Sequence, residues 1–402
     1  MKVALVAEWL DAWRGGAETS TQQFIHQLMD QGVELHLFTR SRLSPTADLR
    51  VHSINSAAMT RTRQSIAFIH RVDRHLAAEN FDIVHAITPC RRANIYQPRG
   101  GTVAETIERN IATRSSRSAR SMKRLTARLN LRQRYLLALE RSMLTDPDGP
   151  IVVALSDYVV RQLQRHYDAP PARIRKIFNG VSPDLTPPDA RGRDREEIRR
   201  EYGLSDDALV TLTVAHNFRL KGVHRWMQAL SLLRLRGVRD LKALVIGRGE
   251  SPAWHRLARR LRLGDALIFV GQTDRVEKFY HAGDLLVHPT YYDPCSRVVL
   301  EAMSRGLPCI TTKWDGAAEL MTDGRSGFVL DDPADTTTLA RRVELLRDED
   351  RRREMGQAAR AAADDVTMAR HSKQMTALYA ELRPAPASVE ARAAMNASID
   401  TA

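Results

Sequence analysis

Two carboxylates, Asp293 and Glu301, stand eight residues apart in the stretch HPTYYDPCSRVVLEAMSRGLPCITT, His288 to Thr312. A short polar turn separates them from a helix starting at about Ser296. Two turns of α-helix take roughly seven residues, so Glu301 falls on the same helix face as the turn that carries Asp293. Acids placed around a helix start serve one of two chemistries. A pair that flanks a glycosidic bond hydrolyses it by acid–base or nucleophilic catalysis. Alternatively, the free amides of the first turn, from about Cys295 to Val298, hold phosphate or sugar oxygens. Glu301, a turn and a half in, then accepts hydrogen bonds from a ribose diol.

Two further stretches bear on that choice. In HNFRLKG, Arg219 and Lys221 are two residues apart in a loop at a strand's carboxyl end. There a rigid guanidinium fork and a flexible ammonium could converge on one diphosphate, or the loop is an ordinary solvated basic turn. In EWLDAWRGGAETS, Gly15 and Gly16 let the backbone approach a ligand at the start of the first helix. Paired glycines also serve turn geometry alone. The pattern is not G-x-G-x-x-G, which argues against a nicotinamide dehydrogenase. A phosphate site beside the acids argues against the hydrolase pair.

Alternating elements must position these residues. KVALVAE, VELHLFT, FDIVHAI, PIVVALS and RIRKIFNGV read as strands of a first half. Helical segments lie between them, including SDYVVRQLQRHY with Ser156 as its cap. A Pro- and charge-rich stretch, SPDLTPPDARGRDREEIRREYG, reads as a linker running into a short helix. LVTLTVAHN, LKALVIGRG, LIFVGQT, LLVHPT, PCITT and GFVL then repeat the strand–helix rhythm. Such alternation predicts two parallel, doubly wound sheets with ligand crevices at the carboxyl ends of the strands.

The chain of 402 residues is long enough for two such domains, and a hydrophobic fraction of 43% is enough for a sizeable core. No apolar run approaches the roughly 18 residues of a membrane span, and no cleavage pattern follows the first strand. Cys90, Cys295 and Cys309 have no metal-type spacing, which suggests reduced cytoplasmic thiols rather than a disulfide scaffold or zinc site. Net charge is +13, a surface that attracts polyanions. Much of it lies between Arg109 and Arg141, with ten Lys or Arg and one acid, Glu140. Leu125, Leu129, Arg132 and Leu136 recur there at helical spacing, predicting a basic amphipathic helix. It reads as a solvated face or as a dock for anionic lipid. Interleaved aromatics and a nucleic-acid motif are missing, which disfavours nucleic acid.

Taken together, these motifs resemble the retaining nucleotide-sugar glycosyltransferases of family 4, over nearly the whole chain. The family's E-x7-E signature appears as Asp293 and Glu301. LLVHPT, EAMSRGLPCITT, GAAELMTDGRSGFVL, FRLKGVHRWMQAL and the early GGAE follow its pattern. AHNFRLKG with HPTYYDP is most similar to the lipopolysaccharide core glucosyltransferase I subgroup, which uses UDP-glucose. The resemblance implies a GT-B fold: two Rossmann-like doubly wound α/β domains facing across a cleft. It implies an acceptor-side domain over 1–182, a linker over 183–204 and a donor domain over 205–366. A helix over 367–383 returns to the first domain, and 384–402 forms a weakly ordered tail. Glu301 would bind the ribose, and Arg219 and Lys221 the diphosphate. The amides of Arg297 and Val298 would hold its oxygens, those near Cys295 and Ser296 the sugar hydroxyls. Gly15 and Gly16 would face the phosphates from the first domain, and His85 would stand near the acceptor, unless it is a buried structural histidine. Two positions depart from the pattern. Asp293 is one methylene shorter than the family's first Glu, and Ser296 replaces the loop's usual glycine.

The implied reaction moves a hexose, as glucose from UDP-glucose, onto a cell-envelope glycan or glycolipid such as lipopolysaccharide core. The acceptor would be met at the inner face of the plasma membrane. No divalent metal or other cofactor is needed beside Arg219 and Lys221, and the Asp-x-Asp at Asp146 to Asp148 sits in a Pro/Gly turn. Alternatives are GDP-mannose or another nucleotide-sugar as donor, and, in a different class, an epimerase or hydrolase of the same fold.

Overall fold

The computed structural model describes residues 1–11, 15–46, 48–55 and 60–383. The tail expected from Pro384 onward lies outside them. In the first half the order is β1 (Lys2–Val6), α1 (Gly16–Asp30), β2 (Glu34–Thr39), β3 (Leu49–Ser53), α2 (Arg61–Ala78) and β4 (Ile83–Ala86). Then follow β5 (Ile95–Tyr96), α3 (Val103–Ala112), α4 (Arg117–Leu129), α5 (Leu131–Thr145), β6 (Ile151–Ala154), α6 (Asp157–Tyr167) and β7 (Ile174–Lys176). All strand pairs are parallel, in the order β3-β2-β1-β4-β5-β6-β7. Val3 to Val6 are wholly buried, as a central parallel strand covered on both faces requires.

The second half opens with α7 (Pro188–Glu201), β8 (Leu209–Val214), α8 (Val223–Leu235), β9 (Leu241–Ile246), α9 (Pro252–Arg260), β10 (Leu267–Gly271) and α10 (Val276–Ala282). It continues through β11 (Leu285–Val287), α11 (Arg297–Ser304), β12 (Cys309–Thr312), β13 (Phe328–Leu330), α12 (Thr336–Leu345) and α13 (Glu349–Ala363). This sheet is also parallel, ordered β10-β9-β8-β11-β12-β13. In both sheets the strand order reverses beside the first strand, at β1/β4 and at β8/β11. A crevice opens at such a reversal because neighbouring connections leave to opposite faces. The two doubly wound α/β domains are the expected fold class.

α14 (Met368–Leu382) leaves the second domain and enters the core of the first. Its Met368, Met375, Leu378 and Tyr379 pack with Val3, Leu5, Phe24 and Leu28, so α14 and α1 cover the same sheet face. Where the chain crosses back, Val181 and Thr367 form an isolated parallel bridge.

Three local readings differ from the sequence. The stretch between Arg109 and Arg141 is not one basic helix. Asn130 ends α4 and also caps α5, accepting from the Gln133 amide at 3.1 Å, so Leu136 belongs to a different helix from Leu125 and Leu129. The segment 183–204 is mostly α7, tied to the second domain by Arg195 and Arg199, each 2.9 Å from Asp284. Strands β3 and β5 left no readable pattern: β3 buries only Leu49, and β5 is two residues long. Among the described residues no helix is long and apolar enough to cross a membrane.

Candidate active site

The loop after β8 turns tightly because the Lys221 amide donates to Asn217 O at 2.9 Å and the Leu220 amide to Asn217 Oδ1 at 3.2 Å. Gly222 closes it at φ 71°, where a Cβ would overlap the Pro289 carbonyl, so no other residue seats the loop against the end of β11. Lys221 Nζ thereby donates to Tyr292 O at 3.1 Å and forms an ion pair with Asp293. Backbone bonds fix Asp293 in turn: its amide donates to Trp314 O at 2.9 Å, and its carbonyl accepts from Gly316 at 2.9 Å. Burial alone would raise the Asp293 carboxyl. Lys221 and the nearby His288 outweigh it and hold the group well below the usual carboxylate range.

Turning along α11, its N-cap Ser296 makes no side-chain cap bond. Its start instead collects carboxylates. The Cys295 amide donates to Asp293 Oδ1 at 3.3 Å, and the Ser296 amide to Asp315 Oδ1 at 3.0 Å. These two amides are therefore already engaged, which corrects their assignment to the sugar hydroxyls. Among the described residues no acceptor meets the amides of Arg297 and Val298, which stay open at the positive end of the helix. Asp315 also accepts from Ala317 at 2.9 Å and from Thr311 Oγ1 at 2.8 Å, and burial, then Asp293, raises its pKa. One turn on, Glu301 accepts from Arg297 Nη2 at 2.6 Å and from Tyr280 Oη at 3.0 Å.

The first domain forms the opposite wall. A Cβ on Gly16 would come within 3.6 Å of the Arg297 side chain, which crosses to Gln23 Oε1 at 2.8 Å. Ser156 caps α6 and also donates to Pro294 O at 2.6 Å, and Asn179 Nδ2 donates to Cys295 O at 3.3 Å. Between the walls lies a cavity of about 440 Å³. Gly15, Gly16, Lys221, Asp293, Cys295, Ser296, Arg297, Val298 and Glu301 all line it.

Arg219 and His85 do not. Arg219 is exposed, with Arg114 and Tyr291 as its charged and polar neighbours. In a helical turn residues two apart point to different sides, so the Lys221 turn that carries one cation inward carries the other out. His85 is fully buried under α14, its Nδ1 2.6 Å from Tyr379 Oη. Burial, then Arg99, pushes its pKa down to about 3, so it is a neutral core imidazole.

Two groups of metal-type side chains occur among the described residues, His36–His52–Glu79 and Glu105–Glu108–His166, and neither lines the cavity. Hydrogen bonds occupy both. His36 Nδ1 meets His52 Nε2 at 3.0 Å, while Glu105 accepts from Tyr158 at 2.8 Å and pairs with Arg109 at 2.7 Å. Asp146 only orders its own exposed turn, accepting from the Asp148 amide at 3.0 Å.

Two family models match the chain, Glycosyltransferase Family 4 over residues 14–185 and Glycosyl transferases group 1 over 194–362. The chain belongs to the family 4 glycosyltransferases. Among curated family relatives, the lipopolysaccharide glucosyltransferase WaaG of Escherichia coli K12 is 29% identical, across 51% of this chain and 55% of that one. The D-inositol 3-phosphate glycosyltransferase 2 of Catenulispora acidiphila is 32% identical, across 46% of each. The chain thus spans about half the length of the curated relatives it matches. Over the full fold, the crystal structure of WaaG superposes with a TM-score of 0.80 at 22% identity, covering 94% of this chain and 99% of that one. HepE of Anabaena, solved in complex with UDP-glucose, gives 0.68 at 17% identity, covering 95% and 100%. These likenesses identify the two-domain arrangement as GT-B.

Family 4 membership came from motifs the sequence displays. Asp315 and Arg99, which also stands at the cavity, carried no such signal: each is a single residue whose role depends on which strand end lies beside it.

Proposed function

We propose that this family 4 protein transfers a hexose from a nucleoside diphosphate sugar to a glycan or glycolipid, with retention at the anomeric carbon. One observation carries the reading: Lys221, the open amides of Arg297 and Val298, and Glu301 border a single cavity at the β8/β11 reversal. The diphosphate lies between Lys221 and the start of α11, and Glu301 receives the ribose hydroxyls. As the anomeric C–O bond breaks, negative charge grows on the departing diphosphate. Lys221 and the helix amides stabilise that charge more in the transition state than before it. They supply the positive charge without a divalent cation, so turnover should persist in EDTA.

Likeness to a lipopolysaccharide glucosyltransferase, and to a neighbour solved with UDP-glucose, supports glucose from UDP-glucose and a lipopolysaccharide-core type of acceptor. A thermal-shift panel of UDP-, GDP- and ADP-sugars tests the donor. Stabilisation by UDP-glucose alone is expected, and a GDP-mannose response would reassign it. Consumption of UDP-glucose without any acceptor would favour the hydrolase or epimerase reading instead.

The acceptor is met at a membrane surface. α4 buries none of its residues, and on and just after it Met122, Leu125, Leu129 and Leu131 are 62, 53, 69 and 64% exposed among arginines. An apolar row within a cationic helix suits the interface of an anionic bilayer. Co-sedimentation with phosphatidylglycerol vesicles should fall as salt rises, and Leu125→Asp with Leu129→Asp should abolish it. Equal binding to neutral vesicles would refute the dock.

A further inference from the structure

A cleft that receives a phosphate needs positive charge not already neutralised by the protein's own acids. Three lysine or arginine side chains line the cavity: Arg99, Lys221 and Arg297. Lys221 is paired with Asp293, and Arg297 with Glu301. Arg99 is different. It is 3% exposed, and among the described residues no carboxylate pairs with it.

Among the described residues, every hydrogen-bond partner of Arg99 is neutral. Nη1 donates to Gln97 Oε1 at 2.9 Å and faces His371 Nε2 at 3.2 Å. Nη2 donates to Ser20 Oγ and lies 3.4 Å from Asn179 Oδ1. Nε has no partner. His371 donates from Nδ1 to Phe178 O at 2.7 Å, which leaves a lone pair on Nε2 for the guanidinium. Burial, then Arg99, pushes the His371 pKa down to about 3, so it stays neutral beside the cation. The neighbourhood therefore orients Arg99 without cancelling its charge. Burial, then the charge of Arg297, disfavours the cationic form. A buried guanidinium without a counter-charge is held at a cost that an anionic ligand relieves.

We propose that Arg99 is a phosphate-binding residue that the first domain contributes to the cleft. The proposal rests on the cavity being the substrate site argued above. Its neighbours Ser20 and Asn179 are themselves buried at the junction of the two domains, and Asn179 reaches the Cys295 carbonyl at 3.3 Å. A phosphate there is met from both sides, by the uncancelled charge and unpaired Nε–H of Arg99 and by the start of α11. Two sources share this chemistry: the diphosphate of the donor and a phosphate carried by the acceptor.

Isothermal titration of wild type, Arg99→Gln and Arg99→Lys with UDP, uridine and inorganic phosphate tests it. If Arg99 meets the donor diphosphate, Arg99→Gln weakens UDP about ten- to a hundredfold and leaves uridine unchanged. If it meets an acceptor phosphate, UDP affinity holds, while UDP-saturated wild type binds inorganic phosphate and UDP-saturated Arg99→Gln does not. Arg99→Lys keeps the charge without the fork, so an intermediate affinity is expected, and it serves if the Gln variant fails to fold by circular dichroism. Wild-type affinity of the folded variants for UDP and for phosphate would overturn the proposal. A wild type that ignores UDP but binds inorganic phosphate through Arg99 would overturn the donor-site reading and leave Arg99 standing.

Discussion

Lys221 is paired with Asp293, so a diphosphate bound there, as proposed, would compete with a carboxylate for the same ammonium. Lys221→Ala should therefore cut kcat by about 10²–10³, the usual effect of losing one preorganised charge at a leaving group. Arg219→Ala should leave steady-state rates within about twofold, since its side chain stands outside the cavity. Equal losses in the two variants would refute this division. Glu301→Ala should raise the dissociation constant of UDP about tenfold or more by calorimetry, because the proposed charged acceptor for the ribose would be gone. The residue types and their spacing were legible in the sequence: Lys221, Asp293 and Glu301 do converge. The direction of Arg219 was not, because it depends on the loop being a helical turn. Nor was Arg99, whose charge matters only because the fold surrounds it with neutral groups.

Among the elements, the start of α11 shows why a helix N-terminus cannot be assigned from its sequence alone. Its amides from Cys295 to Val298 looked equivalent, yet two of them are bonded to Asp293 and Asp315. Asp315 comes from the end of β12, and only sheet order brings it there. Its raised pKa gives a test with a definite sign. The folded protein binds a proton more tightly than the unfolded chain, so Asp315 contributes most to stability at low pH. That contribution is lost as pH rises from the ordinary carboxylate range, near about 4, through the raised value. Asp315→Asn keeps an oxygen for the Ser296 and Ala317 amides without a charge. Its melting temperature should exceed that of wild type at pH 8 and approach it at pH 5, and the opposite order would refute the assignment. The strand–helix rhythm was readable wherever strands are fully buried. It failed at β3 and β5, which are too exposed or too short for an apolar run, and at Asn130, where one helical pattern continues across two helices.

For the whole molecule, the two domains meet through groups that tolerate no added volume. Gly101 lies at φ 83° on the first domain, and a Cβ there would overlap the Tyr292 hydroxyl of the second. Gly101→Ala should hold the domains apart while each keeps its fold. Small-angle scattering should then report a larger radius of gyration, and kcat/KM should fall about tenfold or more. Tyr292→Ala in the same chain should restore the radius. An unchanged radius in the single variant would show that the contact does not limit closure. The paired passage at Val181 and Thr367 has a different consequence. Topologically, residues 182–366 are a guest spliced into a host formed by the first half and α14. Joining 181 to 367 through a short linker keeps every wall of the host, whereas stopping the chain at 181 removes α14 from the sheet face it shares with α1 and exposes the apolar side chains packed beneath it. The first domain is thus excisable only as two pieces, never as an N-terminal fragment.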